Sequence, residues 1–207
     1  MSYPSDNGAV EMNEVLKNIY SRRSVRSFSD KKVPEEAIRE ILKAGTYAPN
    51  GMNVQALRFV IFENKGRIDH YSAVAKELFL AGMAKGRPKD APVPENVQGM
   101  IRTLSNPEFN LFYHAPMVVF VFTHPSALTP VEDASLAVEN MFLYARSIGI
   151  GSCWIGFANS LAHSSEFLKE CQVPADHRLV AQFVLGYPKT EHSEGKRSDP
   201  QILSWIK

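Results

Sequence analysis

The chain is 207 residues long, 44% hydrophobic and 22% charged, which suits one globular domain with a substantial core and excludes a disordered or fibrous chain. A formal net charge of +1 argues against a general nucleic-acid binder, so any anion site must come from local clustering. Two cysteines make no disulfide framework, the N-terminus carries no basic-then-apolar signal, and apolar runs such as residues 115–123 are too short for a bilayer; the expectation is a cytoplasmic domain without a membrane partner.

Met12, Val15, Leu16, Ile19 and Tyr20 recur at helical spacing and predict a first amphipathic helix. It runs into the basic segment Arg22-Arg23-Ser24-Val25-Arg26, which has no such stripe and reads as a loop or short extended piece. Pro34 with Glu35 and Glu36 starts a second helix, since proline suits a first turn and carboxylates oppose the positive end of the dipole. Its buried face is Ala37, Ile38, Ile41 and Leu42, and Gly45 sits near its end. A polar loop from Ala48 to Asn53 leads to a strand over residues 57–62, then to a helix from about Lys65.

Pro88, Pro92 and Pro94 mark an exposed excursion, and residues 82–113 as a whole are expected to form an excursion or lid. Residues 117–122 are continuously apolar, as in a strand buried on both faces. The longest helical pattern covers residues 131–148 and is apolar over most of its girth, which makes a subunit interface a natural place for it. Gly149 ends it. Strands near residues 152–155 and 179–185 bracket a helix from about Leu161 to Cys171. The tail, residues 198–207, is apolar enough to dock on a partner subunit. With no repeat or linker, residues 1–207 form a single domain of α/β or α+β type; this pattern leaves the strand directions open.

The glycines do not make a nucleotide fold: Gly149-Ile150-Gly151 follows a helix and precedes a strand, the reverse of the dinucleotide-binding order. The six histidines lack ligand spacing, so no metal site is expected, and Cys153 lies in an apolar strand where a buried structural thiol is the ordinary outcome. The basic segment says more. Guanidinium forks match phosphate oxygens, and in an extended piece Arg22, Ser24 and Arg26 share one face. A solvated basic loop and a nucleic-acid patch remain open beside that reading. Pro49, Asn50, Gly51, Asn53 and Gln55 concentrate amides that could read a heterocycle edge or sugar hydroxyls, or could simply make a turn. Lys196 and Arg197 add a second basic pair near the C-terminus, either closing on the same anion or solvated.

Taken in order, Arg-Arg-Ser-Val-Arg, the Pro-Asn-Gly-Met-Asn-Val-Gln loop, Gly-Ile-Gly-Ser-Cys-Trp-Ile-Gly, Leu-Gly-Tyr-Pro and the final Lys-Arg resemble the FMN-dependent nitroreductase family from about Val15 to Arg197. The resemblance implies an α+β fold with a central, mainly antiparallel sheet, and an intertwined homodimer with FMN sites at its interface. It places Arg22, Arg23, Ser24, Arg26, Lys196 and Arg197 on the phosphate and ribityl chain. Pro49, Asn50, Gly51 and Asn53 match the loop that comes to the site from the partner, with cofactor-binding Gln55 close behind, and Ile155 and Gly156 match the position whose backbone N–H faces the flavin N5. The implied activity is ping-pong, two-electron reduction of nitroaromatics, quinones or similar small-molecule oxidants by NADH or NADPH. The cofactor carries the chemistry and no side chain is expected to be catalytic. Many members read Ser-Ser in the amide loop and Gln-Pro-Trp after it, where this chain has Asn50-Gly51 and Gln55-Ala56-Leu57. That departure leaves room for other flavin chemistry, such as oxidation or reductive dehalogenation, or for flavin storage without turnover. Phe109, Phe112 and Tyr113 are candidates for walling the substrate side or for the core.

Overall fold

The computed structural model describes residues 12–85, 93–190 and 195–207. Four strands, β1 (Leu57–Phe62), β2 (Met117–Thr123), β3 (Gly151–Trp154) and β4 (Arg178–Gly186), form one antiparallel sheet in the order β1-β2-β4-β3. That settles the strand directions left open above. All seven residues of β2 are buried, because it lies between β1 and β4 and both its faces are covered. Side chains alternate along it: Val118, Phe120 and Phe122 enter one core, Met117, Val119 and Val121 the other.

The second of these cores is closed by α2 (Glu35–Thr46) and α5 (Pro130–Ser147), with Ile38, Ile41, Ala134, Val138, Met141 and Ala145 facing the sheet. The other is closed by α3 (Lys65–Lys85), a 3-10 turn (Gly156–His163) and α6 (Ser165–Glu170). There Phe120 meets Phe167 at 4.7 Å and Phe62 at 5.3 Å between ring centroids, mostly edge to face. Each fully buried ring of this kind contributes about 1.5–3 kcal/mol. The result is a three-layer α+β sandwich. Among the described residues no helix is long and apolar enough to cross a membrane.

One expectation needs correction. The proposed helix from Leu161 to Cys171 is split: Ser164 interrupts the 3-10 turn and caps α6, its hydroxyl accepting from the Phe167 N–H at 3.2 Å. Among the described residues of the excursion, α3 runs on to Lys85 and α4 (Glu95–Ser105) follows Pro94; Pro88 and Pro92 lie outside the described residues. Proline at the N-terminal edge of α4 starts a helix rather than excluding one. Finally, α1 (Glu14–Ser21) forms at the expected stripe, but none of its residues is buried within the chain. Val15, Ile19 and Tyr20 stay exposed, as do Ile202, Leu203, Trp205 and Ile206 of the tail.

Candidate functional site

The basic segment lies along the free edge of the sheet. Ser24 bridges Ser152 in parallel, and the Val25 N–H donates to the Ser152 carbonyl at 2.9 Å. Val25 packs so closely that a Cβ on Gly151 would come within 2.6 Å of it, which explains a glycine at the start of β3. Extended backbone then sorts the side chains by alternation. Arg26, Ser24 and Arg22 all lie close enough to favour a charged Cys153 thiol, while Arg22 also lines the same two cavities as Arg23. Burial pushes that thiol up nonetheless, and the positive charges only partly offset it. Arg26 lies 5.8 Å over the Tyr113 ring, and Tyr113 and His114 both hold left-handed backbone, at φ 55° and 50°.

Arg23 turns to the other side, where the C-terminal pair approaches. A Cβ built on Gly195 would collide with the Arg23 guanidinium and stand 3.1 Å from Arg197 Nη1. The bare backbone of Gly195 thus makes room for two guanidiniums. The adjoining cleft of about 460 Å³ is lined by Arg22, Arg23, Arg146, Gly149, Ser152 and Lys189, among others. A wider groove of about 1330 Å³ shares Arg22, Arg23 and Arg146 with it and adds Arg197. Arg22 is held at 3.1 Å by Glu139. Arg146 and Lys189 were not foreseen: one is a single basic residue in the last turn of α5 and the other stands in the bend after β4, and only folding brings them to the cluster. Lys196 follows Gly195 in the chain but lines neither cavity. Cations from separate stretches of a nearly neutral chain thus converge on one concave surface, a site for a multiply charged anion such as a phosphate monoester.

From Ser152 the β3 edge leads over about 10 Å to Ile155, at roughly 3.3 Å per residue. Ile155 is buried and Gly156 exposed. The Ile155 N–H is occupied, donating to the Gln182 carbonyl at 2.9 Å. The Gly156 N–H has no hydrogen-bond partner among the described residues, and a Cβ on Gly156 would meet nothing within 4 Å. A free backbone donor therefore stands beside open space at the far end of the basic edge. Behind it, Gln182 is 2% exposed and donates from Nε2 to the Ile155 carbonyl at 2.7 Å, leaving its own Oε1 buried without a partner. Such an acceptor costs about 1–3 kcal/mol.

The amide loop is elsewhere. The Gly51 N–H donates to Asp133 Oδ1 at 3.0 Å, and Thr129 Oγ1 donates to the same oxygen at 2.8 Å, so the buried Asp133 in the first turn of α5 anchors the loop. The Gln55 N–H donates to Asn50 Oδ1 at 3.0 Å and Gln55 Nε2 to Asn53 Oδ1 at 3.1 Å. Met52, Asn53 and Gln55 all take left-handed φ near 52° to 55°, strained for side chains other than asparagine. Pro49 is exposed beside Asn50, whose cavity of about 210 Å³ also takes in Gln55 and Asp133. Asp133 and Arg146 stand at opposite ends of α5, about 20 Å apart at roughly 1.5 Å per residue. One chain therefore does not bring its amide loop to its own arginine cluster.

Phe112 belongs to the core, fully buried, while Phe109 and Tyr113 pair at 5.9 Å between ring centroids at the edge. His124 meets His177 edge to face at 5.1 Å between ring centroids, and among the described residues no three His, Cys, Asp or Glu side chains gather as metal ligands.

The profile of the Nitroreductase family matches residues 19–187. A nitroreductase of Bacteroides fragilis with bound FMN is 29% identical and superposes with a TM-score of 0.76, over 94% of this chain and 100% of that one. A protein of Archaeoglobus fulgidus provisionally named NADH dehydrogenase/NAD(P)H nitroreductase is 29% identical over 180 residues, 87% of this chain and 88% of the relative. An iodotyrosine deiodinase of Thermotoga neapolitana is also 29% identical, over 175 residues, covering 81% of this chain and 84% of the relative.

Proposed function

The chain belongs to the Nitroreductase family, and from that premise we propose that it is an FMN-dependent NAD(P)H oxidoreductase that works as a homodimer and reduces small aromatic acceptors. The observation that carries this reading is the convergence of Arg22, Arg23, Arg146, Lys189 and Arg197 at one end of an edge strand whose other end presents the free Gly156 N–H. The residues present fit FMN: the cations suit its phosphate, Gly195 leaves the guanidiniums room to reach it, and open space lies beside Gly156. Bound there, FMN would supply the redox chemistry that links a nicotinamide hydride donor to a two-electron acceptor.

The protein's share is placement. Arg22, Arg23, Arg197 and Lys196 hold the phosphate, with Arg146 and Lys189 behind them. Ser24 and Arg26 face the ribityl chain along the β3 edge. The Gly156 N–H donates towards N5. Asn50, Gly51, Asn53 and Gln55, with Pro49, complete the pocket from a second copy. An antiparallel pairing of α5 with the α5 of that copy would bring the loop end of one chain to the arginine end of the other. This pairing also gives the exposed stripe of α1 and the apolar tail a surface to cover.

The likeness to an iodotyrosine deiodinase, together with Ala56-Leu57 where many members have Pro-Trp, favours a halogenated aromatic as a second acceptor class beside nitroaromatics and quinones. The test is anaerobic titration of the purified yellow protein with NADH and with NADPH, followed by reoxidation with a nitroaromatic, a quinone and a halophenol. Bleaching by a nicotinamide and rapid recovery with at least one acceptor is the expected result. A bound flavin that neither nicotinamide bleaches would overturn the oxidoreductase reading and leave a flavin carrier.

A further inference from the structure

Gln182 sits on the core side of β4, opposite Phe120 in β2 and buried among apolar neighbours. Its backbone already serves the sheet by accepting the Ile155 N–H. Its side chain returns to the same residue, Nε2 donating to the Ile155 carbonyl at 2.7 Å, while Oε1 is left buried without a partner. A residue chosen for packing alone would be apolar at this position, as Val184 and Phe120 are. The side-chain amide must therefore act through the one bond that it makes.

That bond fixes a direction. The described peptides include no cis bond, so the Ile155 carbonyl and the Gly156 N–H belong to one planar trans unit and point in opposite directions. The Ile155 carbonyl also accepts the Ala158 N–H at 3.1 Å, but the shorter bond from Gln182 holds it towards the core and aims the Gly156 N–H away, into the open space beside exposed Gly156. A carbonyl that accepts a hydrogen bond also polarises its peptide, and the N–H across the unit becomes a stronger donor. We infer that Gln182 is a positioning residue for the flavin: by clamping the Ile155 carbonyl it orients and strengthens the Gly156 N–H as a donor to N5. The inference rests on the FMN reading above. N5 accepts a hydrogen bond only in the oxidised ring, because on reduction it gains a hydrogen of its own. The clamp therefore favours oxidised over reduced FMN and holds the potential down.

The test replaces Gln182 with methionine, which keeps length and volume but cannot donate, and compares the FMN-loaded proteins by redox titration against a reference dye. The expected result is a roughly tenfold loss of preference for oxidised FMN, a rise of about 30 mV for a two-electron couple. In the flavin-free protein, the Gly156 amide nitrogen resonance should move upfield as the peptide loses the shorter of its two polarising bonds, the Ala158 N–H at 3.1 Å remaining. Should Gln182→Met not fold, Gln182→Asn keeps an amide but draws it back by one methylene, and the same changes are expected. Wild-type potential and wild-type Gly156 resonance in the folded variant would overturn the role of Gln182 while leaving FMN binding intact. Failure of the wild-type protein to take up FMN would sink the functional reading and this role with it.

Discussion

Arg23 and Gly195 make the phosphate end of the site testable one side chain at a time. Arg23→Ala removes charge-assisted bonds worth about 1.5–3 kcal/mol, so FMN should bind about 10- to 100-fold more weakly by fluorescence titration, with a smaller salt dependence than in wild type. Gly195→Val leaves every cation in place but fills the space of the Arg23 guanidinium. Its Tm should stay near wild type while FMN loosens as in Arg23→Ala; wild-type affinity would show that the phosphate lies elsewhere. The thiols make a separate prediction. Burial, with help from Glu170, pushes Cys171 up to about 12 from an ordinary 9.0. Above about pH 9 the unfolded chain releases this proton while the folded chain holds it. The associated stability is whole below pH 9 and falls as pH rises towards 12. Urea midpoints followed by circular dichroism should therefore drop less steeply above pH 9 in Cys171→Ala than in wild type. Residue types in a row were enough to single out Arg22, Arg23 and Arg197, because guanidiniums clustered in sequence are visible there. Arg146, Lys189, Asp133 and Gln182 were not, since each is alone in its stretch and acquires neighbours only through the fold.

The α2–α5 pair shows how closely two helices can be set. A Cβ on Gly45 would collide with the Met141 methyl, and the Ala137 carbonyl lies 3.2 Å away. Gly45→Ala should destabilise the protein by about 1–3 kcal/mol, read as a lowered urea midpoint, despite alanine's better helix propensity. Met141→Ala in the same chain removes the collision and should recover part of the loss; an unchanged midpoint in Gly45→Ala alone would mean that the helices stand further apart. Periodicity gave α1, α2, α3 and α5 because apolar stripes repeat for several turns. It merged the 3-10 turn with α6, since Leu161, Phe167 and Leu168 continue a helical spacing across Ser164, and the cap is a single hydroxyl. It missed α4, whose Val97, Met100, Ile101 and Leu104 form a regular i, i+3, i+4, i+7 stripe, because the prolines before it were read as marking an irregular stretch. The alternation that separates the two cores of β2 was hidden for a related reason, both faces being apolar.

For the whole molecule, the apolar surface left uncovered on α1, on Leu136 of α5 and on the tail is where the proposed homodimer would be tested. Leu136→Arg puts a charge into that surface. Sedimentation velocity should show a dimer for wild type and a monomer for the variant, with flavin content falling in parallel. A monomeric wild-type protein that still holds FMN tightly would contradict the shared site. The layered fold was legible from the alternation of strands and helices, and the girth of the residue 131–148 helix pointed to an interface, whereas the idea of two intertwined copies sharing a site entered through resemblance.

The separation of the amide loop from the arginine cluster by the length of α5 sets a mass-action law on the protein. If each flavin is gripped by both chains, cofactor and partner bind with a common coupling free energy, and each raises the apparent affinity for the other. Diluted without free FMN, the protein should lose specific activity more steeply than in proportion to its concentration. Adding FMN alone should restore it, the ligand acting as the glue between subunits.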